Sequence, residues 1–389
     1  MSRRFSQSTA MRLVLLLCAL TGGFSSSHAQ SRGPALVIGN TNYPGNVLNN
    51  AVNDARDVAS ALGDLGFQVT LKEDLGVHDL AAAIAAFQSL ASSSPGTAVF
   101  YFSGHGIQVN GVNYLIPVDA VIGKPSDVPA ATVPMQNVFN ALGSHSGANI
   151  VILDACRNNP FANSTDDWVK GLAAPTNPPP NTLIAYSTSP GSVAEDGVGT
   201  HSPFTRSVLK FIHLPGITVP DFFLRVRADV EANTDMIQVP WENTSIAANV
   251  YFRDPIFFKA QFTSPADDDA MVLVNGDVAI DWNQDGGALK QIPLTQLSSE
   301  VVVKVYNQRS YTGGLPYVGG HLPEGWRYDL QLARSDGSVL INLTGKEDVP
   351  ADNGPHHGKL FTVATLKLVV DEKTGKVSMT SVDPLVWTH

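Results

Sequence analysis

Two side chains in this sequence are of the types that attack and protonate an acyl group. Cys156 follows the apolar run Val151-Ile152-Leu153-Asp154-Ala155 and precedes Arg157-Asn158-Asn159-Pro160. A short apolar run bounded by turn residues reads as a buried strand ending at the surface. His105, in Ser103-Gly104-His105-Gly106, follows a second such run, Thr97 to Phe102, and lies 51 residues before Cys156. A cysteine attacks only as thiolate, and its ordinary pKa of about 8.5 leaves little thiolate at neutral pH. A neighbouring imidazole takes the thiol proton and later hands it to a leaving amine. In an open parallel sheet, reactive groups gather past the carboxyl ends of the strands, so both side chains can line one cleft. Gly104 and Gly106 leave room for a peptide, and the amides of Gly106 and Cys156 are candidate oxyanion donors. A lone histidine beside glycines is ordinarily a turn residue, and a strand cysteine is ordinarily inert core. The pair, in this order and at this spacing, points to chemistry.

The elements that must position this pair are legible as alternating patterns. Ala35 to Gly39 is a short strand, followed by the polar loop Asn40 to Gly45. Leu48, Val52, Ala55, Val58, Ala59 and Leu62 then recur at helical spacing up to Gly63. Phe67 to Leu71 is a second strand, and Leu80, Ile84, Phe87 and Leu90 mark a second helix. After the His105 strand, Gln108 to Val112 carries an Asn-Gly turn and predicts a hairpin. A third helix is expected from Pro134 to Leu142, ahead of the Cys156 strand. Asn163 to Pro180 is polar and proline-rich and reads as an exposed loop. Thr182 to Tyr186 is another strand, with helices at Phe204 to Phe211 and Phe222 to Val230. Strands alternating with helices at this spacing argue for a parallel sheet. Beyond residue 263 the period changes to two. Hairpins are expected across Asn275-Gly276, Asp336-Gly337 and Thr374-Gly375, which indicates a sandwich-like all-β region.

Composition bounds the class and the compartment. The 389 residues are 43% hydrophobic and 15% charged, which fits a folded chain of two domains. Arg3, Arg4 and Arg12 precede the apolar block Leu13 to Leu20, and Ser27-His28-Ala29 supplies small residues at cleavage spacing. Residues 1–29 therefore read as a secretory signal peptide, with Sec export favoured over the twin-arginine route and an uncleaved anchor as the alternative. Its removal takes three arginines and no acids, leaving 22 basic against 35 acidic residues and a net charge of −13. Such a surface disfavours nucleic acid and anionic membranes as partners. Cys18 leaves with the peptide, so Cys156 becomes the single thiol of an exported, periplasmic or secreted protein. A thiol redox role then lacks a resolving cysteine.

The two strand-end motifs, Ser103-Gly104-His105-Gly106 and Asp154-Ala155-Cys156-Arg157, resemble the signatures of the caspase-like cysteine peptidases. Leu36 to Tyr43, Asn53-Asp54-Ala55, Thr188-Ser189-Pro190-Gly191 and Pro240-Trp241-Glu242-Asn243 are similar to the bacterial metacaspase and paracaspase branch. The likeness covers about residues 33–258, followed by an expected linker at 259–270 and a β-rich accessory domain at 271–389. It implies a caspase-haemoglobinase-like α/β/α sandwich with a mostly parallel central sheet. It also implies endopeptidase activity by a Cys156–His105 dyad through an acyl-enzyme, with no cofactor and with peptide added as a strand. Animal caspases hold aspartate with arginines and carry a glutamine two residues before the cysteine; here that position is Asp154. Paracaspases and metacaspases surround a basic side chain with acids, whose positions fall on Asp54, Asp154 and, from Gly191 to Gly197, Asp196. Carboxylates pair with guanidinium through charge-assisted, often bidentate bonds, so cleavage after Arg or Lys is expected. The bland readings are a helix-start acid for Asp54 and a solvated strand end for Asp154. Relatives often cut themselves after the cysteine strand, and Lys170 is the candidate site here.

Two further groups resemble metal sites without completing one. Asp281 to Gly286 has the first half of a calcium loop, but the twelfth position is Ile292 rather than glutamate. His356-His357 lack ligand-spaced companions, so no metal is expected. The other class of function to weigh is a catalytically weak caspase-fold protein that binds or signals. Its mark would be loss of the dyad, and both members are present.

Overall fold

The computed structural model describes residues 32–155 and 171–263, and strands and turns within 269–383. The expected signal peptide at 1–29 lies outside the described residues. In chain order the first unit runs β1 (Pro34–Gly39), α1 (Ala51–Asp64), β2 (Gln68–Glu73), α2 (Val77–Ser93), β3 (Ala98–Ser103), β4 (Gly106–Val109) and β5 (Val112–Leu115). It continues with α3 (Val128–Ala131), β6 (Val133–Pro134), α4 (Met135–Leu142), β7 (Asn149–Asp154), β8 (Thr182–Tyr186), α5 (Pro203–Phe211), α6 (Val219–Asn233) and β9 (Trp241–Thr244).

Six strands form the central sheet in the order β2-β1-β3-β7-β8-β9, parallel throughout except for β9, which runs antiparallel to β8. The four central strands β1, β3, β7 and β8 are buried along their whole length because helices cover both faces, as parallel sheets require, whereas the edge strands β2 and β9 are polar and partly exposed. Val37, Tyr101, Ile152 and Leu183 face a core with Val58, Leu62, Phe204, Phe222 and Val226 of α1, α5 and α6. Ile38, Phe100, Phe102, Val151 and Leu153 face Leu80, Ile84, Phe87, Val138 and Leu142 of α2 and α4. Each fully buried large side chain of this kind stabilises the fold by about 1.5–3 kcal/mol. The fold is therefore an α/β/α sandwich with a mostly parallel sheet, as expected.

A second, three-stranded sheet, β4-β5-β6, follows directly from the end of β3. Its hairpin turns at Asn110 (φ 52°) and Gly111 (φ 77°), the left-handed pair that an Asn-Gly turn provides. His105 is thus the bend between two sheets.

The remaining strands are β10 (Ile256–Thr263), β11 (Asp269–Val274), β12 (Asp277–Trp282), β13 (Lys290–Leu294), β14 (Ser298–Tyr306), β15 (Gly325–Arg334), β16 (Val339–Asp348), β17 (Leu360–Val370) and β18 (Val377–Asp383). They form two antiparallel sheets, β13-β10-β15-β16 and β12-β11-β14-β17-β18. The strand pairings of the three expected hairpins are present, with Val272 opposite Ile280, Leu330 opposite Leu343 and Leu368 opposite Met379, while the turn residues 336–337 and 374–375 lie outside the described residues. The expected linker at 259–270 needs correction. Residues 259–263 pair within β10 and 269–270 within β11, because the alternating polar and apolar residues Lys259 to Thr263 continue the strand that Ile256 begins; 264–268 lie outside the described residues. Among the described residues, no helix is long and apolar enough to cross a membrane.

Candidate active site

The register of the parallel sheet sets the site. Ser103 at the end of β3 stands opposite Asp154 at the end of β7, and the Gly104 amide donates to the Asp154 carbonyl at 3.3 Å. His105 and Cys156 each lie two residues beyond this pair. Ala155 is buried, and a Cβ on Gly106 would lie 3.3 Å from its methyl group, so the chain leaving β7 runs beside Gly106. Cys156 with its amide, and Lys170, lie outside the described residues.

His105 is 4% exposed and held from several directions. Its backbone amide donates to Tyr43 Oη at 3.0 Å, and that hydroxyl donates to the Ile116 carbonyl at 3.0 Å. The Tyr43 ring meets the imidazole edge-on at 4.5 Å between centroids. A side chain on Gly104 would put its Cβ 2.6 Å from the same hydroxyl, which is why glycine precedes the histidine. His105 Nε2 lies 3.1 Å from the Asn46 carbonyl oxygen. A carbonyl only accepts, so this contact places the imidazole proton on Nε2 and leaves Nδ1 as the basic nitrogen. The loop supplying Tyr43 and Asn46 is pinned in turn. The Asp74 carboxylate accepts from the amides of Thr41 (2.7 Å) and Asn42 (3.0 Å), and the Asn40 side chain bonds the Leu75 amide at 3.0 Å.

The structure brings Asp54 and Asp154 together, and both are 0% exposed. The expected alternative for Asp154, a solvated strand end, is therefore incorrect. Asp54 lies in the first turn of α1, and its Oδ1 accepts from the Ser202 amide at 3.2 Å and faces His201 Nδ1 at 3.0 Å. Its Oδ2 accepts from Ser103 Oγ at 3.4 Å. Asp154 Oδ2 accepts short bonds from Ser202 Oγ and, at 2.8 Å, from Thr205 Oγ1. Ser202 also caps α5, its hydroxyl accepting from the Thr205 amide at 2.9 Å. Tyr101 Oη lies 2.6 Å from Thr205 Oγ1, closing a buried polar network beneath the two acids. Burial, followed by the nearby charges of Asp54 and Asp154, holds the Tyr101 phenol well above its ordinary range, so it stays protonated and donates. Asp196 is tied to the loop before α1: its carboxylate accepts from the Asn49 amide and its carbonyl from Asn50 Nδ2, both at 2.6 Å.

The stretch 163–180, expected as an exposed loop, is anchored where it is described. Leu172 is buried beside Gly106, and the Ala173 amide and carbonyl bond the Asn113 side chain of β5 at 2.7 and 2.9 Å. Among the described residues, no group of three or more His, Cys, Asp or Glu could hold a metal ion. The interior of the calcium-like stretch, 283–289, and His356-His357 lie outside the described residues. Sequence reasoning assigned no role to Tyr43, Asn46, His201, Ser202 or Thr205. The signals present were an aromatic inside a polar loop, and a serine followed by proline at a helix start.

Comparison with known proteins places this geometry in context. The family model described as a caspase domain (Peptidase_C14) matches residues 32–251. The mucosa-associated lymphoid tissue lymphoma translocation protein 1 of Homo sapiens is 28% identical over 162 residues, covering 41% of this chain and 19% of that protein. Its Mus musculus homolog is likewise 28% identical over 162 residues, covering 41% of this chain and 18% of its own length. The aligned region thus spans about a fifth of those relatives.

Proposed function

Because this chain belongs to the caspase-domain peptidase family, we propose that it is a cysteine endopeptidase cutting after Arg or Lys, with Cys156 as nucleophile and His105 as base and then acid. The observation that carries the reading is the register of β3 and β7, which brings His105 beside the backbone that leads into Cys156. His105 Nδ1 takes the thiol proton, and the thiolate sulfur bonds the scissile carbonyl carbon. The tetrahedral oxyanion is met by the Gly106 and Cys156 amides. As it collapses, the carbon–nitrogen bond breaks, and the imidazolium protonates the departing amine. Water then attacks the thioester with His105 again as base, releasing the carboxylic product and restoring the thiol.

For specificity, Asp54 and Asp154 supply two carboxylates at one end of the sheet, and Asp196 a third on the adjoining loop. Paired carboxylates favour the planar fork of arginine. Self-cleavage after Lys170 and export with loss of residues 1–29, to a periplasmic or secreted location, belong to the same reading. So does a targeting or docking role for the β-rich region after 255. The protein substrate carries a basic residue; nucleic acid is disfavoured by the net charge of −13 that follows loss of the leader.

The test uses purified protein with fluorogenic peptides ending in Arg, Lys or Asp, alongside Cys156→Ala and His105→Ala. Thiol-dependent turnover of the Arg and Lys peptides, lost in both variants, is expected. Absence of turnover with every peptide would leave the second reading, a weak caspase-fold binding protein, in its place. Preference for the Asp peptide would remove the basic specificity alone.

A further inference from the structure

Burying carboxylates without a positive or hydrogen-bonding partner is strongly unfavourable, so what covers Asp54 and Asp154 is informative. His201 stands between two acids, with Nδ1 3.0 Å from Asp54 Oδ1 and Nε2 3.1 Å from Asp57 Oδ2. Asp54 is fully buried, the His201 side chain is 18% exposed and Asp57 is 57% exposed, so the imidazole spans from the interior to the surface. A planar group with nitrogens directed at two carboxylates is how a guanidinium would occupy the same place. A cavity of about 300 Å³ lies directly outside, lined by Asn53, Arg56, Asp57, Thr200 and His201. Arg56 there is engaged elsewhere, in a two-point contact with Glu73 at 2.8 and 2.7 Å. The segment leading to His201 includes the exposed Val198, Gly199 and Thr200, whereas Ser202 is fixed as the cap of α5. The imidazole can therefore turn away about its own side-chain bonds without moving the helix.

We propose that His201 is a specificity-determining residue that holds the place of the substrate's basic side chain against Asp54, and that an incoming Arg or Lys must displace it. The inference rests on the proposed Arg/Lys peptidase reading. It adds a threshold: a side chain that replaces the imidazole contacts less completely displaces the ring less readily. Arginine, with a fork that reaches two carboxylates at once, displaces the ring more readily than lysine, a single point charge.

The experiment measures KM and kcat for Arg and Lys peptides with the wild type, His201→Ala, His201→Arg and Asp57→Asn. Removing the occupant in His201→Ala lowers KM for the Arg peptide about fivefold and for the Lys peptide by more, so the Arg/Lys preference narrows. His201→Arg, which strengthens the occupant, raises KM for both. A purely structural role for His201 would weaken turnover in both variants rather than move KM in opposite directions. Should the alanine variant fail to fold by circular dichroism, Asp57→Asn decides, since it removes the outer partner and leaves Asp54 covered. It lowers KM in the same direction by a smaller factor.

An unchanged or raised KM in the folded His201→Ala and in Asp57→Asn, with the wild type cutting Arg peptides, overturns this inference and leaves the proposed function standing. Turnover by His201→Ala where the wild type has none supports it as full occlusion. Turnover by neither protein overturns both readings, and a preference for Asp overturns this inference together with the basic specificity on which it rests.

Discussion

At the residue scale, the geometry around His105 depends on Tyr43 as much as on the sheet. The Tyr43 hydroxyl accepts from the His105 amide and donates to Ile116 O, so a single oxygen fixes the backbone on which the imidazole is mounted. Tyr43→Phe keeps the ring contact and removes that oxygen. A buried amide left unpaired costs about 1–3 kcal/mol, and each 1.4 kcal/mol lost from the transition state is about tenfold in rate. The expected result is a kcat about tenfold lower with KM little changed, and a shifted pH profile, measured on the Arg peptide.

Tyr101 gives a second outcome at this scale. Its folded-state pKa is raised, by burial first and then by Asp54 and Asp154. The neutral phenol therefore contributes stability that is present below the ordinary tyrosine value of about 10 and is lost as pH rises through the higher folded value. Above pH 10 the unfolded chain ionises first, and unfolding is favoured. Urea midpoints compared at pH 8 and above pH 10 should fall less steeply for Tyr101→Phe than for the wild type.

At the element scale, the N-terminus of α5 is the piece that closes the acid end of the sheet. Ser202 caps the helix through the Thr205 amide and donates to Asp154, while its own amide bonds Asp54. Ser202→Ala keeps the amide and loses both hydroxyl contacts. The cap contributes about 1 kcal/mol, and the donor removed from a buried carboxylate about 1–3 kcal/mol. A loss of about 2–4 kcal/mol in urea-derived stability follows, with Thr205→Val smaller because Ser202 still reaches Asp154. This helix start could be read from Ser202-Pro203 alone. Its partners could not, because Asp54 and Asp154 are 148 and 48 residues away in the chain.

At the scale of the whole molecule, the boundary between the two units has a structural position. Arg32 pairs with Asp254 at 3.0 Å and bonds the Tyr251 carbonyl at 2.9 Å, tying the start of the first unit to its end. Residue 256 already belongs to β10, which pairs with β13 and β15. Residues 32–254 therefore retain every strand of the central sheet, and they are expected to fold and keep thiol-dependent turnover. A cut after residue 260 instead leaves Ile256, Phe257 and Phe258 as an unpaired apolar strand, an edge prone to association. Size-exclusion chromatography should show the shorter fragment monodisperse and the longer one aggregated. Among the described residues, the shorter fragment gives up the bond from Arg253 Nη1 to the Asp371 carbonyl at 3.1 Å.

What the sequence determined by itself was everything set by short-range pattern. Apolar runs of period two and 3.6 located the strands and helices, Asn-Gly placed the hairpin turn, and His105 and Cys156 stood out because strand ends and glycines mark where a sheet opens. Boundaries that hinge on a single residue were harder to read, as Leu172 and β10 illustrate, since burial there is decided by neighbours distant in the chain. The state of the acids was decided by the tertiary structure alone. Asp54 and Asp154 read locally as a helix-start acid and a strand terminator. Folding instead takes both out of water, and a buried carboxylate must find donors. Those donors, Ser202, Thr205 and His201, come from another part of the chain. Of the acids that the motif marks for a basic side chain, Asp54 is thus already faced by one of the protein's own, His201.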